Sequence, residues 1–240
     1  MSIFYRYILL EEQTQSIRNI ITKKIIQNDV IDGTQLQNNW FPQINADVFI
    51  SHSHQDLELA TNFAAWLNGC FNLNSFIDSA VWGYANDLLK MIDDKLCYNN
   101  IMEVYDYNKR NYSTAHVHSM LSNALMQMID KTECLFFLNT SNSVSVSDTV
   151  QNKTESPWLY LELSASQFIK ATPPPNRGWT KTAGYIQNSR ISMQYDVDLS
   201  YLTNITVNDL SNWKKTRDAK VNEHPLDLLY QICQPQQINR

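Results

Sequence analysis

Ser156-Pro157-Trp158-Leu159-Tyr160-Leu161-Glu162 is the stretch of this sequence best equipped for chemistry. Serine is a strong helix N-cap, and proline fits the first helical position, where its missing N–H costs nothing. The spacing therefore predicts a helix opening at Ser156. Trp158 and Glu162, four residues apart, then share one face of its first turns. A carboxylate set beside a large aromatic is partly desolvated. The W-x-x-x-E spacing is common on helices, so taken alone it describes a solvated glutamate and a core tryptophan equally well. Histidine offers a second chemistry. His52/His54 and His116/His118 are both H-x-H pairs, which on a strand would share a face and could chelate zinc. Neither has a third or fourth ligand at metal-binding spacing, so hydrogen-bonded or solvated histidines are expected and no metal site.

The elements that must position these groups follow from periodicity. Asp47-Val48-Phe49-Ile50-Ser51 is a short apolar run ending in small polar residues, as a buried parallel strand would be. Ala60, Phe63, Ala64 and Leu67 recur at helical spacing and should stop near Asn68-Gly69. Phe76-Ile77-Asp78 reads as a second strand and Asp87–Leu96 as a second helix. Tyrosine-rich polar sequence from Cys97 to Tyr112 interrupts the pattern, and helical period resumes from His116 to Ile129. Cys134–Leu138 reads as a third buried strand, and the polar segment from Asn139 to Glu155 as a long loop. The helix from Ser156 ends near Lys170, ahead of the stop at Pro173-Pro174-Pro175. Ile191, Met193, Tyr195, Val197 and Leu199 alternate with polar residues as a fourth strand, and Leu226, Leu229 and Ile232 suit a last helix from Pro225. Strands alternating with helices predict an α/β, flavodoxin-like open parallel sheet with helices on both faces, its ligand outside the carboxyl ends of the strands. Those ends are Ser51–His54, Asp78–Tyr84 and Asn139 onward.

Residues 1–45 stand apart. Ile17, Ile20, Ile21 and Ile25 recur at helical spacing with basic residues between them, which predicts an amphipathic N-terminal extension. Asp32-Gly33 then marks a turn. The apolar Ile3–Leu10 stretch, broken by Arg6, is too short and too polar for a signal peptide or a membrane span. A formal net charge of -5, with basic doublets only at Lys23-Lys24, Lys109-Arg110 and Lys214-Lys215, far apart along the chain, leaves no basic stripe for nucleic acid. Cys70, Cys97, Cys134 and Cys233 are far apart and read as thiols of a reducing compartment. A cytoplasmic protein without membrane or nucleic-acid partners is expected.

The order of these elements resembles the TIR (Toll/interleukin-1 receptor) domain of bacterial, Thoeris-like NAD-cleaving proteins, and three motifs carry the likeness. Residues 47–56, DVFISHSHQD, resemble the D-x-F-I-S-[YH]-x-x-x-D opening of that family. Phe76-Ile77-Asp78 followed by Trp82-Gly83-Tyr84 stands at the place of its BB loop. Residues 156–162 are similar to the W-x-x-x-E helix start of its NAD-cleaving members. The likeness covers roughly residues 46–170, within a domain expected over 46–240 that carries insertions near 97–115 and 140–155. The first insertion, with Tyr98, Tyr105, Tyr107 and Tyr112, could be a lid, a protein contact or a plain surface elaboration.

The resemblance implies an NAD glycohydrolase or cyclase in which Glu162 is the catalytic residue and Trp158 lines the same pocket. It places Ser51, His52, Ser53, His54 and Asp78 near the nucleotide, with Trp82 or Tyr84 available to stack on nicotinamide or adenine. Breaking the nicotinamide–ribose bond leaves positive charge on the ribose, as in glycoside hydrolysis. Nicotinamide is already cationic in NAD and needs no acid to leave, so one carboxylate suffices and NAD is substrate, with no cofactor. The family likeness further implies self-association, a role in anti-phage defence, and a separate effector protein that senses the product. Two other readings remain open from the residues: a non-catalytic TIR adaptor, and an enzyme resembling nucleoside deoxyribosyltransferases.

Overall fold

Val48–Ser51 is buried at every position, as a strand covered on both faces requires. The computed structural model describes residues 31–81, 85–143, 145–146, 152–154, 156–169, 195–197, 199 and 202–233. The amphipathic helix expected around Ile17–Ile25, the triple proline and the loop aromatics Trp82 and Tyr84 lie outside the described residues. In chain order the elements begin with α1 (Gly33–Trp40), β1 (Val48–Ser51), a 3-10 turn (His54–Asp56), α2 (Leu57–Phe71) and β2 (Ser75–Phe76). Then come α3 (Asp78–Val81), α4 (Ala85–Ile92), a π-turn (Asp93–Cys97), β3 (Tyr98–Asn99), β4 (Val104–Tyr105) and α5 (Tyr107–Lys131). The remainder is β5 (Cys134–Phe137), β6 (Ser145–Val146), β7 (Asn152–Thr154), α6 (Pro157–Phe168), β8 (Tyr195–Val197), α7 (Val207–Ala219) and α8 (Pro225–Cys233). The chain divides into two compact units, residues 45–77 with 128–240, and residues 1–44 with 78–127.

The first unit holds a three-stranded parallel sheet of order β2-β1-β5. Ile50 lies opposite Phe136, and Ser51 opposite Phe137. Alternation along the strands puts Ile50 and Phe136 on one face, and Phe49, Ser51 and Phe137 on the other. Helix α2 covers the first face, where Phe63 meets Phe136 edge-on at 5.2 Å. Trp213 of α7 joins it there, fully buried, stacked on Phe71 at 3.8 Å and donating its indole N–H to the Pro225 carbonyl at 2.7 Å. That last bond ties α7 to α8. Helix α6 covers the second face, with Leu163 packed against Phe137. This part of the molecule is an α/β structure, a parallel sheet flanked by helices.

Asp47, just before β1, stitches the strands together at their amino ends. Its backbone N–H donates to the Asn74 carbonyl and its carboxylate accepts from the Asn74 N–H, both at 2.8 Å, while its own carbonyl accepts from Glu133 N–H at 3.0 Å. Helix α2 runs past Asn68-Gly69, where the sequence predicts its end, and stops at Asn72, which takes the left-handed conformation (φ 57°) that asparagine tolerates. Gly69 is exposed and a side chain there would meet nothing within 4 Å, so its weak helical preference is not decisive. The 139–155 segment, expected as loop throughout, contains β6 and β7, paired antiparallel. The strand expected over 191–199 is described at Tyr195–Val197, where it pairs antiparallel with β7 instead of extending the parallel sheet. Alternation identifies a strand but not its partner.

In the second unit, α1 replaces the turn expected at Asp32-Gly33. The Asp32 carboxylate accepts the Gln35 N–H at 3.0 Å as an N-cap, and Leu36 and Trp40, four apart, are buried. The tyrosine-rich insertion is a β-hairpin followed by the first turns of α5, which starts at Tyr107, ahead of the expected His116, and carries Tyr112. Tyr98 faces Tyr105 across β3 and β4, their rings 5.0 Å apart, and the Asn99 side chain closes the turn by accepting Ile101 and Met102 N–H groups. Tyr105 donates its hydroxyl to Asp94 at 2.5 Å, and the Arg110 guanidinium lies over its ring. Asp93 is buried and accepts from Arg110 Nε at 2.8 Å and from the Ser113 hydroxyl, which anchors the π-turn to α5. Among the described residues, no helix is long and apolar enough to cross a membrane.

Candidate functional site

The carboxyl end of β1 is where the chemistry-bearing residues of two distant motifs meet. Strand pairing fixes the Ser51 backbone, whose carbonyl accepts Leu138 N–H at 2.9 Å. Its side chain points to the face covered by α6. There the Ser51 hydroxyl donates to Glu162 Oε2 at 2.6 Å, across 111 residues of chain. The distance lies within the ordinary range for a hydroxyl donating to a carboxyl oxygen. Helix α6 brings Glu162 to this place because it starts where the sequence says it should. Ser156 caps it by accepting Leu159 N–H at 3.3 Å, and Pro157 occupies the first turn. Leu159 and Leu163 are buried, Leu163 against Phe137 of β5, which orients the intervening turn and Glu162 with it.

Glu162 is 3% exposed and Ser51 wholly buried. A charge taken out of water is costly unless its oxygens are hydrogen-bonded. The site therefore holds its carboxylate through specific partners, with little solvent around it. Trp158, one turn earlier on α6, is half-buried.

His52 follows Ser51 and is also buried, at 7% exposure, with ring Nδ1 3.3 Å from the Ile50 carbonyl. That contact suits a proton on Nδ1. Ser53 is half-buried and caps the 3-10 turn by accepting Gln55 N–H, while His54 is exposed. The two histidines of this H-x-H pair thus occupy unlike surroundings. His116 and His118 lie on α5, where residues two apart point in different directions, so the shared face needed for chelation does not exist. Burial pulls the His118 imidazole below its ordinary 6.5 and keeps it neutral at pH 7. Among the described residues, no group of three or more His, Cys, Asp or Glu side chains could hold a metal ion.

A second polar cluster stands at the same end of the sheet, and sequence reasoning missed it. Asp56, 8% exposed, accepts the Thr140 hydroxyl at 2.5 Å and the Asn142 side-chain amide at 2.8 Å. The Ser143 hydroxyl meanwhile accepts Thr140 N–H at 2.8 Å and donates to the Leu138 carbonyl. These bonds lock the loop after β5 to the loop after β1. The signal for Asp56 was its place at the end of the first motif. Thr140, Asn142 and Ser143 gave none, being ordinary members of a polar stretch.

Asp78 opens the four-residue helix α3, in the other compact unit, and is half-buried. Ser51 and Glu162 come together on the described chain, His52 only follows Ser51 along it, and Trp82 and Tyr84 fall outside it. Ser51 was expected against the nucleotide, but its complete burial makes Glu162 its partner. A cavity of about 720 Å³ runs along β5 from Glu133 to Thr140. Ser51, His52 and Glu162 do not line it, so its size alone does not mark it as the reaction site. Comparison of the chain with protein-family models, with curated proteins and with solved structures gave no match in any of the three.

Proposed function

We propose that this chain is a TIR-type enzyme that cleaves the nicotinamide–ribose bond of NAD, with Glu162 as its catalytic carboxylate. The single observation that carries the reading is the buried Ser51–Glu162 bond, which joins the D-x-F-I-S motif to the W-x-x-x-E motif at one point. Both patterns carry the likeness to one family, and their meeting at one point supports that reading. The order β2-β1-β5 adds support, since it is the 2-1-3 centre of a flavodoxin-like, doubly wound sheet. In such sheets ligands sit outside the carboxyl ends of the strands flanking the reversal of order, which here are β1 and β5. Ser51, His52, Asp56 and Thr140 all stand at that edge.

In the reaction the C1′–N bond of the nicotinamide riboside breaks and its electron pair leaves with nicotinamide, which departs neutral. The ribosyl carbon becomes an oxocarbenium-like cation. The fixed negative charge of Glu162 stabilises that cation and accepts hydrogen bonds from ribose hydroxyls; its low-dielectric surroundings make the charge count for more than it would in water. Capture by water releases a proton and gives ADP-ribose. Capture by a nitrogen of the adenine gives a cyclic isomer, and capture by another nucleophile a conjugate. Trp158, one helical turn away, supplies an apolar wall for the departing base. A role in anti-phage defence, with a second protein sensing the product, is the biological setting we propose for a released nucleotide signal.

The experiment is incubation of the purified protein with NAD, followed by chromatography and mass spectrometry of the products. Glu162→Gln should lower turnover about 100- to 1000-fold while the protein stays folded. Absence of NAD turnover at every protein concentration would select an adaptor role. Deoxynucleoside exchange with NAD untouched would select the deoxyribosyltransferase-like chemistry.

A further inference from the structure

We infer that Ser51 is the positioning residue for Glu162, its hydroxyl holding the carboxylate in the orientation that meets the substrate. The inference rests on the proposed NAD-cleaving role of Glu162, but its geometry stands independently. Ser51 closes a strand whose other residues, Val48, Phe49 and Ile50, are all fully buried hydrophobes. Packing at such a position is satisfied by alanine, so the hydroxyl needs another reason, because a buried hydroxyl without a partner is destabilising. Its partner is Glu162 Oε2 at 2.6 Å.

The two ends of this bond differ in freedom. Ser51 is held by the register with Phe137 on β5 and by the Leu138 N–H bond to its own carbonyl. Its side chain has one rotatable bond before the oxygen. Glu162 reaches the site through three rotatable bonds from a helix, two of them with staggered wells and the last broad. The rigid partner therefore sets the direction of the mobile one. Ser51 is wholly buried, so it acts through Glu162 and takes no part in binding substrate itself.

The test compares Ser51→Ala, Ser51→Cys, Glu162→Gln and the Ser51→Ala/Glu162→Gln double variant in NAD turnover, with urea unfolding of each to verify folding. Ser51→Ala is expected to lower kcat about 10- to 100-fold, the worth of one charge-assisted hydrogen bond, with KM changed little. Ser51→Cys, which keeps a weak donor, should fall between alanine and the wild type. The double variant should be no slower than Glu162→Gln, because Ser51 has nothing left to position. A kcat unchanged by Ser51→Ala, or a double variant slowed by the full product of the two single effects, overturns the inference. A readout independent of turnover keeps the two proposals apart. In protein carrying carboxyl-¹³C glutamate, the resonance lost in Glu162→Gln identifies Glu162, and Ser51→Ala should move it. Movement without NAD turnover in the wild type would leave the positioning intact and sink the enzymatic reading. An unmoved resonance sinks the positioning whatever the activity.

Discussion

Asp93 and Glu162 are both buried carboxylates, yet their surroundings assign them different work. Asp93 accepts from Arg110 and Ser113 within one local cluster of hairpin and helix, and nothing else about it points to a ligand. Its role is to fasten the π-turn, and removing a donor should be felt as lost stability. Ser113→Ala is expected to cost about 1.5–3 kcal/mol, read as a lower urea midpoint with an unchanged slope. Cys97, in the same cluster, supplies a pH test. Burial raises its thiol above the ordinary 9.0, opposed by the Ser113 hydrogen bond and reinforced by Asp93. The folded state thus holds this proton more tightly than the unfolded chain. The associated stability is fully present below pH 9, and is lost as pH rises through 9 and on through the higher folded value. Cys97→Ala should flatten that alkaline loss, compared with the wild type in thermal melts between pH 8 and 10.5. Equal slopes for the two proteins would remove the thiol from the account.

Elements differ in how plainly the sequence announces them. Helix α6 was legible to the residue at its start because capping chemistry is local: Ser156, Pro157 and the buried Leu159 and Leu163 all act within two turns. Ser156→Ala should therefore cost about 1 kcal/mol and also lower NAD turnover, since the cap sets where Glu162 falls. A stability loss with full turnover would detach the cap from the site. Strands β1 and β5 were legible from their apolar runs. Helix α7 was not, because its outer face is polar and its hold on the sheet is concentrated in one side chain, Trp213. Trp213→Ala is expected to cost about 3–5 kcal/mol and to release α7 and α8 first, seen as early loss of hydrogen-exchange protection there. The hairpin of β3 and β4 was hidden for another reason. Its cross-strand pair Tyr98–Tyr105 is recognisable only once the chain has turned back on itself, and two-residue strands are too short for a period to show. The Asp56 cluster depended on residues 84 and 86 positions away, a distance over which spacing says nothing.

At the scale of the whole molecule, the chain changes unit three times along its length, at 44/45, 77/78 and 127/128, the last inside α5. The sequence suggested a simple extension followed by a domain, since periodicity reports neighbours along a chain and not which segments collect in space. The proposed kinship with TIR proteins implies weak self-association. Specific activity should then rise with protein concentration, followed by NAD turnover across a dilution series alongside sedimentation. A strictly constant specific activity together with a monomer throughout would count against it.

The Ser51–Glu162 bond also bears on how the protein comes into being. Its partners are 111 residues apart, and contacts of such long range are among the slow ones to form, because so much chain must be brought back before they yield anything. A ribosome that has released β1 but not α6 carries a strand with its terminal hydroxyl unanswered. The Ser51–Glu162 pair thus waits for the synthesis of α6, and a chain truncated before Ser156 lacks it altogether.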